Sequence, residues 1–210
     1  MITIAGKYPI NDPELLIRDY CRVEVYHGYD DSHSINNVVS DEDIRSANSM
    51  YARIGLNAAQ RLKGSKELPE ALAGIPNSTL GELTPSDWNA ISPKLSLLFQ
   101  ESCSIAGVGL AIATKILHLK RPALIPILDA NTIKILLNRE LKKAHKQDLP
   151  ALGMQAVEII KTDLEQHKEL FCLLQQRLQD LPIPLGPLRI YDILAWSIKG
   201  RFIRGAKTTT

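Results

Sequence analysis

The 210-residue sequence has no long apolar run, no large excess of either charge and only three cysteines. Without a run long enough to cross a bilayer, or a basic segment followed by an apolar core in MITIAGKYPINDPELL, neither a membrane helix nor a secretory leader is expected. The chain therefore reads as soluble and intracellular, with no membrane partner. Twenty-five Lys and Arg against 23 Asp and Glu leave a net charge of +2. That balance permits an acidic partner without demanding one, so any nucleic-acid surface has to be a local patch. Cys21, Cys103 and Cys172 lie too far apart to form a metal or redox motif and read as reduced, mostly buried thiols. GxxxxGK[ST] and HExxH are absent. The glycines of GVGLAI lack both the third glycine and the preceding strand of a dinucleotide fingerprint. No internal repeat is present, and no cofactor or metal is expected.

What the sequence does have is apolar content, 45% of 210 residues, enough for a sizeable core in one domain or two small ones sharing a cleft. Residues 1–37 are mixed: Pro9 and Pro13 punctuate the start, CRVEVY fits a short strand, and HGYDDSHSINN fits a polar loop. Residues 38–200 are helical. Ser40 with Asp43 starts a helix whose stripe of Ile44, Ala47, Tyr51, Ile54 and Ala58 runs to Gly64. KELPEALAG suggests a shorter helix. Thr84-Pro85 starts another, with a break expected at Ser92-Pro93. Ile133, Leu136, Leu137 and Leu141 share one face of a helix reaching Arg139. Val157, Ile160, Leu164, Phe171, Leu174 and Leu178 predict one long helix from about Met154 to Leu181, stopped by Pro182 and Pro184, with His167 half-buried on its stripe. LRIYDILAWSIKG forms a last helix, and residues 201–210 form a basic tail carrying Arg201, Arg204 and Lys207. The expected class is mainly α, with a short N-terminal β segment.

Within the helical region, residues 104–120 are the most informative. Gly107-Val108-Gly109 joins a helix ending near Ser104 to one starting near Val108, and glycine supplies the positive φ that such a turn needs. Amides at the start of the second helix have no partner within it and carry partial positive charge, so the turn can hold a phosphate, with Lys115, Lys120 and Arg121 adding attraction to a polyanion. A packed turn between two helices explains the same glycines. Asp129 ends the apolar run Ile125-Pro126-Ile127-Leu128 and precedes a helix beginning near Ala130, which is a capping position. A carboxylate at the edge of an apolar wall is also a better base and a stronger partner for developing positive charge.

Taken together, GVGLAIA at 107–113, PILDAN at 126–131 and the helix to Arg139 resemble the core of the helix-hairpin-helix DNA glycosylase superfamily, most closely its adenine-glycosylase and endonuclease III branch. The resemblance implies two helical lobes around a cleft, a hairpin that grips DNA phosphates at Gly107, Val108, Gly109, Lys115, Lys120 and Arg121, and double-stranded DNA as partner. It implies that Asp129 orients water and stabilises the cationic sugar of a flipped nucleotide, as in DNA repair. Ala111 stands where bifunctional members carry a Schiff-base lysine, 18 residues before Asp129, so the implied enzyme is monofunctional. The clustered iron–sulfur cysteines of that branch are missing, and Ala130 replaces a frequent glycine. The alternative is a non-catalytic nucleic-acid-binding relative in which Asp129 only caps a helix; a helical protein using its cleft for a small nucleoside or another protein is a third reading.

Two further clusters invite comparison. His27, Asp30, Asp31 and His33 have metal-binding atoms at a spacing that matches no metal site, and a solvated loop explains them. On the last helix, Asn131's neighbours in the cleft are expected to include Tyr191 and Asp192. Arg189 and Asp192, three residues apart, suggest a surface ion pair, and Trp196 suggests core.

Overall fold

In a computed structural model the chain is described at residues 1–22, 28–32, 34 and 36–205, with side chains to residue 198. The fold is mainly α. Two three-residue strands, β1 (Ile2–Ile4) and β2 (Tyr8–Ile10), pair antiparallel with Ile2 opposite Ile10. The helices follow: α1 (Pro13–Cys21), α2 (Asp41–Ser49), α3 (Leu56–Gly64), α4 (Glu67–Ala73), α5 (Pro85–Ser104), α6 (Leu110–Lys120), α7 (Ala130–Leu137), α8 (Leu149–Gln166), α9 (Lys168–Arg177) and α10 (Pro187–Gly205). No helix among the described residues is long and apolar enough to cross a membrane.

Local chemistry sets the helix starts. Ser40 and Asp43 form a reciprocal capping box on α2, and Thr84 and Asp87 form another on α5, each satisfying amides that the first turn leaves without partners. Asp12 caps α1 in the same way, through Leu15 N. Long α5 lies against α8, and the contact is tight because Gly153 has no side chain: a Cβ there would meet Phe99 Cδ2 at 2.9 Å. Ile2, Ile4 and Ile10 join the same apolar core as Leu95, Leu117, Val157 and Leu194. The strands are pinned to α8 as well, since Ala5 N donates to Asp163 Oδ2 at 2.6 Å and Thr3 N donates to His167 Nε2 at 3.3 Å.

Several sequence expectations need correction. The stripe from Ile44 to Ala58 is two helices, α2 and α3, because the chain turns between them with Tyr51 at φ 58° and Arg53 at φ 56°, left-handed conformations that a helix does not tolerate. The expected long helix is likewise divided at His167 into α8 and α9. Pro93 does not break α5, which runs through it to Ser104; Ile91, Leu95, Leu98 and Phe99 keep one face buried across the lost hydrogen bond. α7 stops at Leu137, where Asn138 adopts φ 53°, before Arg139. The β segment lies at 2–10; Cys21 ends α1, and residues 23–26 of CRVEVY lie outside the described residues. Cys103 is buried, Cys21 half-buried and Cys172 exposed. The last helix runs on to Gly205, so Arg201 and Arg204 fall within it, while Lys207 lies outside the described residues.

Candidate functional site

The apolar run after α6 is threaded through the core and fastened by side chains. Leu128 N donates to Thr114 Oγ1 (3.0 Å), His118 Nδ1 lies 2.7 Å from Ile125 O, and Ile127 N donates to Asp192 Oδ2 (3.1 Å). Buried backbone polar groups must find partners, and these three anchors on α6 and α10 supply them. The run therefore emerges at one fixed point. Asp129 stands there as the N-cap of α7, its Oδ1 accepting from Asn131 N (2.9 Å) and Thr132 N (2.8 Å).

A cavity of about 320 Å³ opens at that point. Its walls bring together Asp129, Asn131 and Thr132 from the start of α7, Ala111 and Lys115 from α6, and Arg189, Asp192 and Trp196 from α10. Met50 and Tyr51, in the left-handed turn after α2, complete it. Of the residues expected in a cleft, Asp129, Asn131 and Asp192 meet here; Lys115, expected at the phosphates, lines the same cavity instead.

Lys115 is only 7% exposed. Its Nζ donates to Met50 O at 2.5 Å. Burial lowers its pKa, the nearby Asp129 charge opposes that, and Arg189 reinforces it. Asp192, on α10, is buried: its Oδ1 has no hydrogen-bond partner, and burial, reinforced by Asp129 and Asp30, raises its pKa to about 8 against the pull of Arg189 and the Ile127 amide. Arg189 is not paired with Asp192. Its Nε donates to Asp30 Oδ1 at 2.6 Å, a second nitrogen reaches Tyr20 Oη, and the whole group is buried, so the expected surface ion pair is a buried Arg189–Asp30 pair instead. Asp30 is thus used structurally. His27 and His33 lie outside the described residues, and among the described residues no group of three His, Cys, Asp or Glu is placed to hold a metal. Trp196 is at the cavity wall and 41% exposed rather than in the core.

Other expected site residues fall elsewhere. Tyr191 is fully buried, donates to Asp163 Oδ2 (2.7 Å) and does not line the cavity. Lys120 and Arg121 do not face a phosphate. Lys120 is 0% exposed, with its ammonium on Asp43 Oδ2 (2.6 Å), Ser34 Oγ and Asn36 Oδ1. Arg121 donates to Ile75 O, Leu72 O, Lys120 O and Asn37 Oδ1, and burial lowers its pKa. Both cations stand at the end of α6, and their distant partners are what the local sequence does not show.

The hairpin itself has the expected shape. Gly107 takes φ +87° and Gly109 is the N-cap of α6. The hydrogen bonds of α6 begin at Ile112 N and Ala113 N, both to Gly109 O, so the amides of Gly109, Leu110 and Ala111 have no partner within the helix. Exposed cations flank the turn: Arg61 Nη1 donates to Ala106 O (3.2 Å) and Lys146 Nζ to Ser104 O (3.0 Å). Val108 is buried beneath. A Gly107→Ala protein is expected to lose about 1–2 kcal/mol, from the positive φ, with a Cβ 3.2 Å from Ala58 Cβ adding to it. Thermal unfolding measures this directly as a drop of roughly 2–8 °C for a chain this size.

The sequence pattern anticipated Asp129, Asn131 and Asp192 but not Lys115, Met50 or Tyr51 in the cavity wall. Met50 and Tyr51 are missed because nothing in the apolar stripe signals their left-handed turn. A model built for a family of unknown function, DUF6308, matches residues 13–199. Neither the curated proteins nor the solved structures contain a match to the chain.

Proposed function

We propose that this chain, which belongs to the DUF6308 family, is a monofunctional DNA N-glycosylase that hydrolyses the bond between sugar and base of a nucleotide flipped into the cavity. The observation that carries the reading is the position of Asp129. Two backbone amides hold one of its oxygens, and the carboxylate lines a cavity the size of a small-ligand site. Ala111, in the first turn after the Gly107–Gly109 hairpin, lines the same cavity. A duplex whose phosphates sit on the hairpin amides therefore has its neighbouring nucleotides close to Asp129. The resemblance of GVGLAIA and PILDAN to the helix-hairpin-helix glycosylases supports the same assignment.

In this mechanism Asp129 accepts a proton from the attacking water and faces the positive charge that develops on the sugar. Trp196 and Tyr51 offer exposed rings at the cavity wall, where a base extruded from the stack can be held. Duplex binding rests on hairpin amides with Arg61 and Lys146, so affinity falls as salt rises.

The test is incubation of the protein with duplexes that each carry one uracil, hypoxanthine, 7-methylguanine, 8-oxoguanine or mispaired adenine, followed by alkali. Breaks that appear only after alkali are the expected result. Borohydride is expected to trap no covalent adduct, because Ala111 has no amine and the Lys115 ammonium is committed to Met50 O. An adduct that disappears in Lys115→Met would make the enzyme bifunctional. No breaks on any duplex, with duplex binding retained, would leave Asp129 as a helix cap in a non-catalytic binding protein.

A further inference from the structure

Among the described residues, Asp192 is a buried, cavity-lining acid with one carboxyl oxygen that has no hydrogen-bond partner. It is 4% exposed, Oδ2 accepts from Ile127 N, and Oδ1 is buried without a hydrogen-bond partner. Such an oxygen costs stability unless it carries a proton and faces an acceptor. The neighbouring charges do not neutralise it. Arg189, one turn earlier on α10, is spent on Asp30 and Tyr20; Lys115, on α6, donates to Met50 O; Asp129, at the start of α7, and Asp30 are acids.

We propose that Asp192 is the proton donor to the departing base, and that the substrates of the site are therefore nucleotides whose base leaves from an uncharged state. The inference rests on the glycosylase reading above and assigns the second carboxyl group of that reaction. Two carboxyl groups in one site take different tasks when their surroundings differ. Asp129 sits half-exposed at a helix N-terminus with two amide donors, a setting suited to a carboxylate. Asp192 sits in an apolar wall beside other acids, and its pKa of about 8 keeps it protonated at neutral pH.

The bond from the anomeric carbon to the base nitrogen breaks, and its electron pair leaves with the base. The Asp192 carboxyl gives its proton to a ring nitrogen or carbonyl oxygen of that base, which departs neutral. Water oxygen bonds to the anomeric carbon and passes a proton to Asp129. Solvent then carries that proton back to Asp192. A base already made cationic by alkylation leaves without a donated proton, so it gains nothing from Asp192.

The experiment measures single-turnover release from pH 5 to pH 10 for wild type, Asp192→Asn and Asp192→Glu, on duplexes carrying uracil, hypoxanthine or mispaired adenine, and on one carrying cationic 7-methylguanine. Asn preserves the acceptor for Ile127 N. For an uncharged base, wild-type release is expected to fall as the pH rises through about 8, because the proton is lost. Asp192→Asn is expected to be about 10²- to 10⁴-fold slower and to lack that limb, while Asp192→Glu retains one. Any 7-methylguanine release should change by less than about tenfold, since no proton transfer is removed. An Asp192→Asn protein with the wild-type rate and the wild-type limb would overturn the assignment, as would equal losses on both classes of base, the mark of a purely structural role. Wild type that releases no base from any duplex overturns the glycosylase reading, and this assignment with it. An active wild type beside an indifferent Asp192→Asn overturns the assignment alone.

Discussion

Asp129→Asn is expected to fold, to bind duplex as wild type does and to release base about 10³-fold more slowly. The expectation separates the two tasks of this side chain. Asn caps helices about as well as Asp, so an amide oxygen can keep accepting from Asn131 N and Thr132 N, and α7 keeps its start. What disappears is the charge that faces the sugar and the base that takes the proton of water. Thermal unfolding should move by no more than a few degrees, which removes misfolding as an explanation for lost turnover. Should the substitution leave the rate within a few-fold of wild type, Asp129 is a cap and the chemistry lies elsewhere.

The largest effect on stability is expected at Asp43, far from the cavity. Asp43 and Lys120 form an ion pair in which both side chains are at most 2% exposed. Asp43 Oδ2 also accepts from Ser40 N and Ser40 Oγ, so one carboxylate closes the start of α2 and neutralises the end of α6. Asp43→Ala leaves a buried ammonium with only Ser34 and Asn36 as partners, and removing one member of such a pair costs about 3–5 kcal/mol. The expected drop in melting temperature is about 6–20 °C. In contrast, Asp43→Leu combined with Lys120→Met should recover much of the loss, because an apolar pair of similar volume needs no desolvation. A single variant that melts with wild type would show that the pair contributes nothing to the fold.

These two residues also mark where the sequence was readable and where it was not. Local signals were legible: Ser40 with Asp43, Thr84 with Asp87, and Asp129 before α7 all act within three residues, and each is a cap in the structure. Asp129, Lys115, Asn131 and Asp192 meet in one cavity, which the spacing from the hairpin to the aspartate anticipated for the first of them. Long-range partners were not legible. Lys120 and Arg121 are expected to face phosphates, yet their partners Asp43, Asn37, Leu72 and Ile75 come from segments far earlier in the chain. Helix breaks were also hidden, because the apolar period continues across Tyr51 and across His167 while the backbone does not. Tyr191 and Asp192 are adjacent in sequence, but successive helix positions point about 100° apart, and only Asp192 reaches the cavity.

The most direct measurement is chromatographic detection of free base released from the duplex panel under single-turnover conditions, with wild type and Asp129→Asn side by side. The account predicts one released base from wild type, an abasic strand that stays intact until alkali is added, and release from the variant about 10³-fold slower. Free base from neither protein, or equal release from both, would contradict it.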